Sequence, residues 1–206
     1  MKAAGLLLDL DRTLVDVQSY TDYDAAVAGL PKKVRSARVE TPETEWDSAT
    51  RHAMDILVAW AGTDRWQEIS DHIELFESEA VVQSRRMPGV FDFLDAVSGL
   101  PIVVVTLMGP RAARAALVRH GIDLPIVLGR ESTYQPKPAP DQLLAGCARM
   151  DLDPAEVVMI GDSSWDAAAA AAAGCGFVGL TLGKPCEFSP STTVVEWLMD
   201  ASRHVT

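Results

Sequence analysis

Ala3-Ala4-Gly5-Leu6-Leu7-Leu8 runs without a charge into Asp9-Leu10-Asp11-Arg12-Thr13-Leu14. The apolar part is of strand length and does not alternate with polar residues, the mark of a strand buried on both faces. The same pattern recurs at Ile102 to Val105, Ile126 to Leu128, Val157 to Ile160 and Phe177 to Leu180. From Pro88 onward, helix-like stretches separate these runs. Pro88-Gly89 opens one through Val97, and Pro110 opens another through His120, closed by Gly121. Pro138 to Met150 and Trp165 to Ala173 follow, the last closed by Gly174. Proline at a helix start and glycine past its end fit their backbone preferences. Strand and helix in alternation predict an α/β fold, a doubly wound, Rossmann-like parallel sheet.

The stretch from about Val15 to Met87 breaks the alternation. It carries no convincing strand and is far too long for one crossover loop. Thr41 with Pro42 reads as a helix start, after which Trp46, Met54, Leu57, Val58 and Ala61 fall near helical spacing. Ile69, Ile73, Leu75, Phe76 and Val81 suggest a second helix. The expected organisation is therefore a core of residues 1–14 and 88–206 carrying a helical subdomain of residues 15–87. Trp46, Trp60 and Trp66 lie in the insert, and Trp165 is expected near its docking face.

Composition bounds the partners. With 29 acids against 18 bases, the formal net charge of −11 disfavours a nucleic-acid binder. A small anion stays compatible, because a metal or a few local groups invert the field of one cleft. The apolar runs are too short to span a membrane, and no signal-peptide pattern follows the first, so a cytoplasmic protein is expected. Cys147, Cys175 and Cys186 are odd in number and widely spaced, which argues against a disulfide scaffold or a zinc ribbon.

Ligands of open α/β sheets bind beyond the carboxyl ends of the strands. There the sequence places Asp9 and Asp11 after the first run and Thr106 after the second. Lys137 lies in the loop before the fourth run, and Asp162-Ser163-Ser164-Trp165-Asp166 lies after it. One aspartate after a strand is ordinarily a helix cap or turn residue. A set of them at several strand ends, together with a lysine, is not explained by capping. Carboxylates without histidine or cysteine suit a hard cation, Mg²⁺ above all. Met108-Gly109 ahead of Pro110 adds backbone donors at a helix start, an expected anion site.

These segments resemble the four motifs of the haloacid dehalogenase-like superfamily, in that superfamily's order. Asp9-Leu10-Asp11-Arg12-Thr13 matches the DxDxT pattern, and Thr106, Lys137-Pro138 and Gly161-Asp162 through Asp166 resemble the other three. The insert sits where the first subfamily, of phosphoglycolate phosphatase-like enzymes, carries its helical cap. The resemblance implies a phosphatase acting on a small phosphorylated metabolite through an aspartyl-phosphate. Asp9 would be the nucleophile and Asp11 the general acid and base. Thr106 and Lys137 would hold the phosphoryl group, with Leu107, Met108 and Arg12 as further substrate contacts. Mg²⁺ would be held by Asp9, the backbone carbonyl of Asp11, and Asp162, with Asp166 orienting its waters or Lys137.

The sequence departs from the pattern at three places. Arg12 stands where many relatives have glycine, Leu107 where many have asparagine, and Gln135-Pro136 where a glycine often precedes the lysine. Other chemistry of the superfamily is less well supplied. A dehalogenase needs no second acid, and Asp11 is present. A phosphonatase needs a cap lysine, for which Lys32 and Lys33 are the candidates. A phosphomutase would transfer phosphate between sugar hydroxyls. A phosphoryl-accepting receiver module is shorter and has no such insert. The basic residues Lys32, Lys33, Arg35 and Arg38 read as a solvated face or as a cap surface for an anionic substrate. Gly174-Cys175-Gly176-Phe177-Val178-Gly179 is a literal GxGxxG, but it ends a helix and enters a strand, the reverse of a dinucleotide fingerprint.

Overall fold

The computed structural model describes residues 2–184 and 188–206. Cys186 lies outside the described residues. Six parallel strands form the sheet in the order β5-β4-β1-β6-β7-β8. They are β1 (Gly5–Leu8), β4 (Ile102–Val105), β5 (Val127–Leu128), β6 (Val157–Gly161), β7 (Gly176–Leu180) and β8 (Thr193–Val195). β1 is central: Leu6 is in register with Ile102 of β4 on one side and Val158 of β6 on the other. Chain order reverses around β1, so the crevice at the carboxyl ends of β1, β4 and β6 is the switch point of the fold.

Side-chain alternation divides the sheet into two buried faces. Leu6, Leu8, Val104, Val158 and Ile160 pack on one side with α5 (Val90–Ala96), α6 (Pro110–Arg119) and α9 (Leu198–Val205). Leu7, Val103, Val105, Val157 and Met159 pack on the other with α7 (Asp141–Met150) and α8 (Ser164–Ala173). The alanine run of α8 lets its backbone come close to the sheet, with Ala169 and Ala170 fully buried.

Between the core segments lie four helices: α1 (Tyr23–Gly29), α2 (Lys32–Arg35), α3 (Ser48–Trp60) and α4 (Trp66–Ala80). They share an apolar cluster that includes Val34, Ile56, Leu57 and Ile73, and Trp165 of the core completes it. Trp165 contacts Trp46 with ring centroids 5.1 Å apart.

Two expectations for this region are corrected. Strands do occur: β2 (Val15–Asp16) and β3 (Arg85–Arg86) pair antiparallel where the chain leaves and re-enters the core. Two residues are too few to show a period. Thr41 does not cap a helix. Asp47 does, accepting from Ala49 and Thr50 N–H, while Thr41 Oγ1 donates to Asp55. Tertiary docking explains the difference. Trp165 Nε1 donates to Pro42 O at 3.1 Å and Ser164 Oγ to Glu43 O at 2.5 Å, which ties down the chain before α3 in a non-helical path.

Candidate active site

The hydrophobic strands deliver their polar ends to one place. Asp9 directly follows β1, and its N–H donates to Ile160 O at 2.9 Å, which ties it to β6. Lys137 reaches the same point from the loop before α7. Its Nζ donates to Asp9 Oδ1 at 2.7 Å, Asp166 Oδ1 at 2.5 Å and Val105 O at 3.1 Å. All three side chains are buried. Asp166 also accepts from Ser163 N–H and Oγ as the reciprocal half of a capping box at the start of α8. Gly161 is required here, because a Cβ on it would lie 2.5 Å from the Asp166 carboxyl carbon.

Oxygens of Asp9, Asp162 and Asp166 lie within 4.8 Å of one another, close enough to hold one metal ion. Asp11 is not in that trio. Its carboxylate accepts from Val17 N–H at 2.8 Å and Gln18 N–H at 3.1 Å, on the segment leading into the helices. Arg12 pairs with Asp162 through Nε at 3.2 Å and lies outside the cavity lining. Its φ of 62° is left-handed, a conformation that costs a side-chain-bearing residue about 1 kcal/mol and suits glycine. The ion pair with Asp162 offsets that cost and accounts for an arginine at this turn.

Thr106, Leu107 and Met108 line the cavity beside these acids. Thr106 Oγ1 accepts from Met108 N–H at 3.1 Å. The expected anion site at the start of α6 is corrected. Gly109 N–H donates to Glu77 Oε2 at 2.9 Å, and Arg111 and Ala112 N–H donate to Glu74 Oε1 at 2.6 and 3.2 Å. Carboxylates from α4 thus occupy the helix N-terminus that an external anion would have used. Gly109 permits the approach, since a Cβ there would sit 2.3 Å from the Glu74 side chain.

Sequence reasoning missed four residues that build this region. Arg130 and Glu77, both fully buried, pair at 2.5 and 3.0 Å. Arg130 also donates to Leu107 O, Ser70 O and Ser70 Oγ. Glu74 holds Arg111 as well as the start of α6. Gln142 Nε2 donates to Thr106 O, Leu128 O and Gly129 O, and its Oε1 accepts from Lys137 N–H. The basic residues Lys32, Lys33, Arg35 and Arg38 are exposed and do not reach the cavity.

Burial governs the electrostatics. It pushes the Asp9 carboxyl up to about 7, against the pull of Lys137 and with the push of Asp166. Burial likewise raises Asp11 to about 7, against its N–H bonds from Val17 and Gln18. Asp162 is held well above the carboxylate range by burial, which Arg12 only partly opposes. For Lys137, burial favours loss of the proton, but Asp166 and Asp9 outweigh it and keep the ammonium charged. The cavity between these groups and the helices is about 30 Å³. On the helical side Gln18, Tyr23, Trp46, Thr50 and Met54 line it.

Comparison with known proteins agrees with this architecture. A haloacid dehalogenase-like hydrolase family model matches residues 4–174. The chain is 36% identical over 208 residues to a phosphoglycolate phosphatase of Escherichia coli, covering 87% of this chain and 81% of the relative. It is 30% identical over 139 residues to a phosphoglycolate phosphatase of Haemophilus influenzae, covering 65% of this chain and 62% of that relative's length. Among solved structures, a subfamily IA HAD-superfamily hydrolase of Geobacter sulfurreducens superposes with a TM-score of 0.64 at 18% identity, over 99% of this chain and 98% of the other.

Proposed function

The chain belongs to the haloacid dehalogenase-like hydrolases, and from that premise we propose that it is a Mg²⁺-dependent phosphatase of a small phosphorylated metabolite. The observation that carries the proposal is Lys137 bridging Asp9 and Asp166 at the switch point of the sheet, with Asp162 in reach. Phosphoryl transfer needs positioning and neutralisation of oxygen charge more than covalent machinery.

The donor set suits a hard cation. It is made of oxygens alone, and its negative charge exceeds what Lys137 and Arg12 offset. Asp9 and Asp162 would hold the ion with the Asp11 carbonyl, and Asp166 would stand behind it. Bound there, Mg²⁺ supplies Lewis-acid stabilisation of the phosphoryl oxygens.

The chain's own groups carry the rest. An Asp9 carboxylate oxygen forms a bond to phosphorus as the bond to the ester oxygen breaks. Asp11, whose carboxyl is raised by burial, gives a proton to that leaving oxygen. The resulting Asp11 carboxylate then takes a proton from water as the water oxygen attacks phosphorus. Asp9 leaves as a free carboxylate, with inorganic phosphate as product. Thr106 and Lys137 hold the phosphoryl oxygens throughout.

Residues 15–87 act as a cap over the core of 1–14 and 88–206. The cavity lies between the two and is lined by both, so lifting of the cap would admit substrate and its closure would exclude water. The paired β2 and β3 strands are the two chain crossings about which it would turn. Among the described residues no helix is long and apolar enough to cross a membrane, and the reading suits an enzyme of the cytoplasm. The test is phosphate release from a panel of phosphate esters, with and without Mg²⁺, by the wild type and Asp9→Asn. Metal-dependent release that Asp9→Asn abolishes is expected; metal-independent release, or release that survives the substitution, would overturn the proposal.

A further inference from the structure

The leaving group of a bound ester must lie against the cap, because the core side of the cavity is taken up by the phosphoryl-binding groups. That cap wall is Gln18, Tyr23, Trp46, Thr50 and Met54. No member of it is a cation. Lys137 is the one basic side chain lining the cavity among the described residues, and it is committed to Asp9 and Asp166.

The cap's own bases are engaged or directed elsewhere. Lys32, Lys33, Arg35 and Arg38 are exposed. His52 contacts Arg35 O and Arg38, and His72 contacts Ala26 O. Arg65 pairs with Glu68, while Arg85 and Arg86 lie over the rings of Tyr20 and Phe91. Arg51 borders a separate surface hollow beside Glu43 and Glu45.

The polar atoms of the wall are neutral. Tyr23 OH donates to Glu77, and Thr50 Oγ1 donates to Asp47. Gln18 lines the same wall and carries a neutral amide, which can donate to or accept from a substrate hydroxyl or carbonyl. A carboxylate on the leaving group would instead be buried against Trp46 and Met54, with no cation on that wall to pair with it. A buried charge with no partner is strongly unfavourable.

Resting on the phosphatase reading, we propose that the substrate is a phosphomonoester of a small uncharged alcohol. Esters with an acidic leaving group, 2-phosphoglycolate among them, are poor substrates. The chain would thus differ in substrate from the relatives it resembles in sequence.

The test compares kcat/KM for propyl phosphate, 2-hydroxyethyl phosphate and 2-phosphoglycolate at saturating Mg²⁺, with p-nitrophenyl phosphate as a generic control. The neutral esters are expected to exceed 2-phosphoglycolate by at least about 100-fold, the size expected for a buried charge left unpaired. Gln18→Lys, at a half-exposed position, adds a cation to the wall and should narrow that ratio by about tenfold or more. Equal or better turnover of 2-phosphoglycolate by the wild type would overturn the inference and leave the phosphatase reading standing. An unchanged ratio in folded Gln18→Lys would overturn the assignment of selectivity to this wall. Absence of Mg²⁺-dependent release from every ester, the aryl control included, would instead remove the phosphatase reading and this inference with it.

Discussion

Arg130→Met should destabilise the protein by about 3–5 kcal/mol, because it leaves the buried Glu77 carboxylate without its cation. Both side chains are fully buried, and the guanidinium donates to both Glu77 oxygens, to Ser70 Oγ and O, and to Leu107 O. After the substitution Glu77 keeps only the Gly109 N–H and the Tyr23 hydroxyl. At about 2–4 °C per kcal/mol for a chain of this size, the loss corresponds to roughly 6–20 °C in Tm. The double variant Glu77→Gln with Arg130→Met separates charge from contacts. Its glutamine carbonyl still accepts from Gly109 N–H, and no unpaired charge remains. It should recover at least about 1 kcal/mol relative to Arg130→Met. Urea unfolding at neutral pH, supported by thermal melts, reads both quantities. If Arg130→Met lies within about 1 kcal/mol of the wild type, or the double variant is no more stable than the single, Glu77 does not depend on Arg130 to neutralise its buried charge.

Two further outcomes follow from local chemistry. Asp47→Ala removes the cap of α3 and should cost about 1 kcal/mol at neutral pH. Slight burial raises the Asp47 carboxyl, but its bonds from the Thr50 hydroxyl and the Thr50 and Ala49 N–H groups outweigh this and hold it below the ordinary value of 3.8. The stabilisation is therefore complete above that value and fades as pH falls through the folded one, so urea melts of wild type and variant should converge in acid. Cys175, 3.8 Å from Cys147 Sγ, has its thiol pushed up to about 12 by burial and that neighbour. Its alkylation by iodoacetamide, followed by peptide mass spectrometry, should quicken about 100-fold between pH 8 and pH 10; rapid labelling at pH 7.5 would contradict this.

The central strands were legible because burial on both faces leaves continuous apolar runs, as in Leu6 to Leu8 and Val157 to Ile160. β8 was not, for it lies at the sheet edge with Thr193 and Val194 exposed. Asp9, Thr106, Lys137, Asp162 and Asp166 stood out because each follows or precedes a strand end where ligands bind. Glu74, Glu77 and Arg130 gave no such signal. Their partners are distant in sequence, and charged residues on an amphipathic helix ordinarily face water. One clue was available: Ser70, Glu74 and Glu77 fall at helical spacing on the face shared with Ile69 and Ile73, which marks them as buried. The start of α3 was misplaced for a tertiary reason as well, since the docking of residues 42–46 on Trp165 overrides the local helix-start signal at Thr41 and Pro42.

The covalent step at Asp9 is tested most directly by trapping. Enzyme mixed with Mg²⁺ and a phosphate ester it turns over is quenched during turnover and treated with borohydride, which reduces an aspartyl-phosphate to homoserine. Mass spectrometry of the peptide containing residues 5–12 should then find homoserine at position 9, only when ester and Mg²⁺ are both present. Turnover with residue 9 unmodified, or the modification at Asp11 instead, would contradict the proposed role of Asp9.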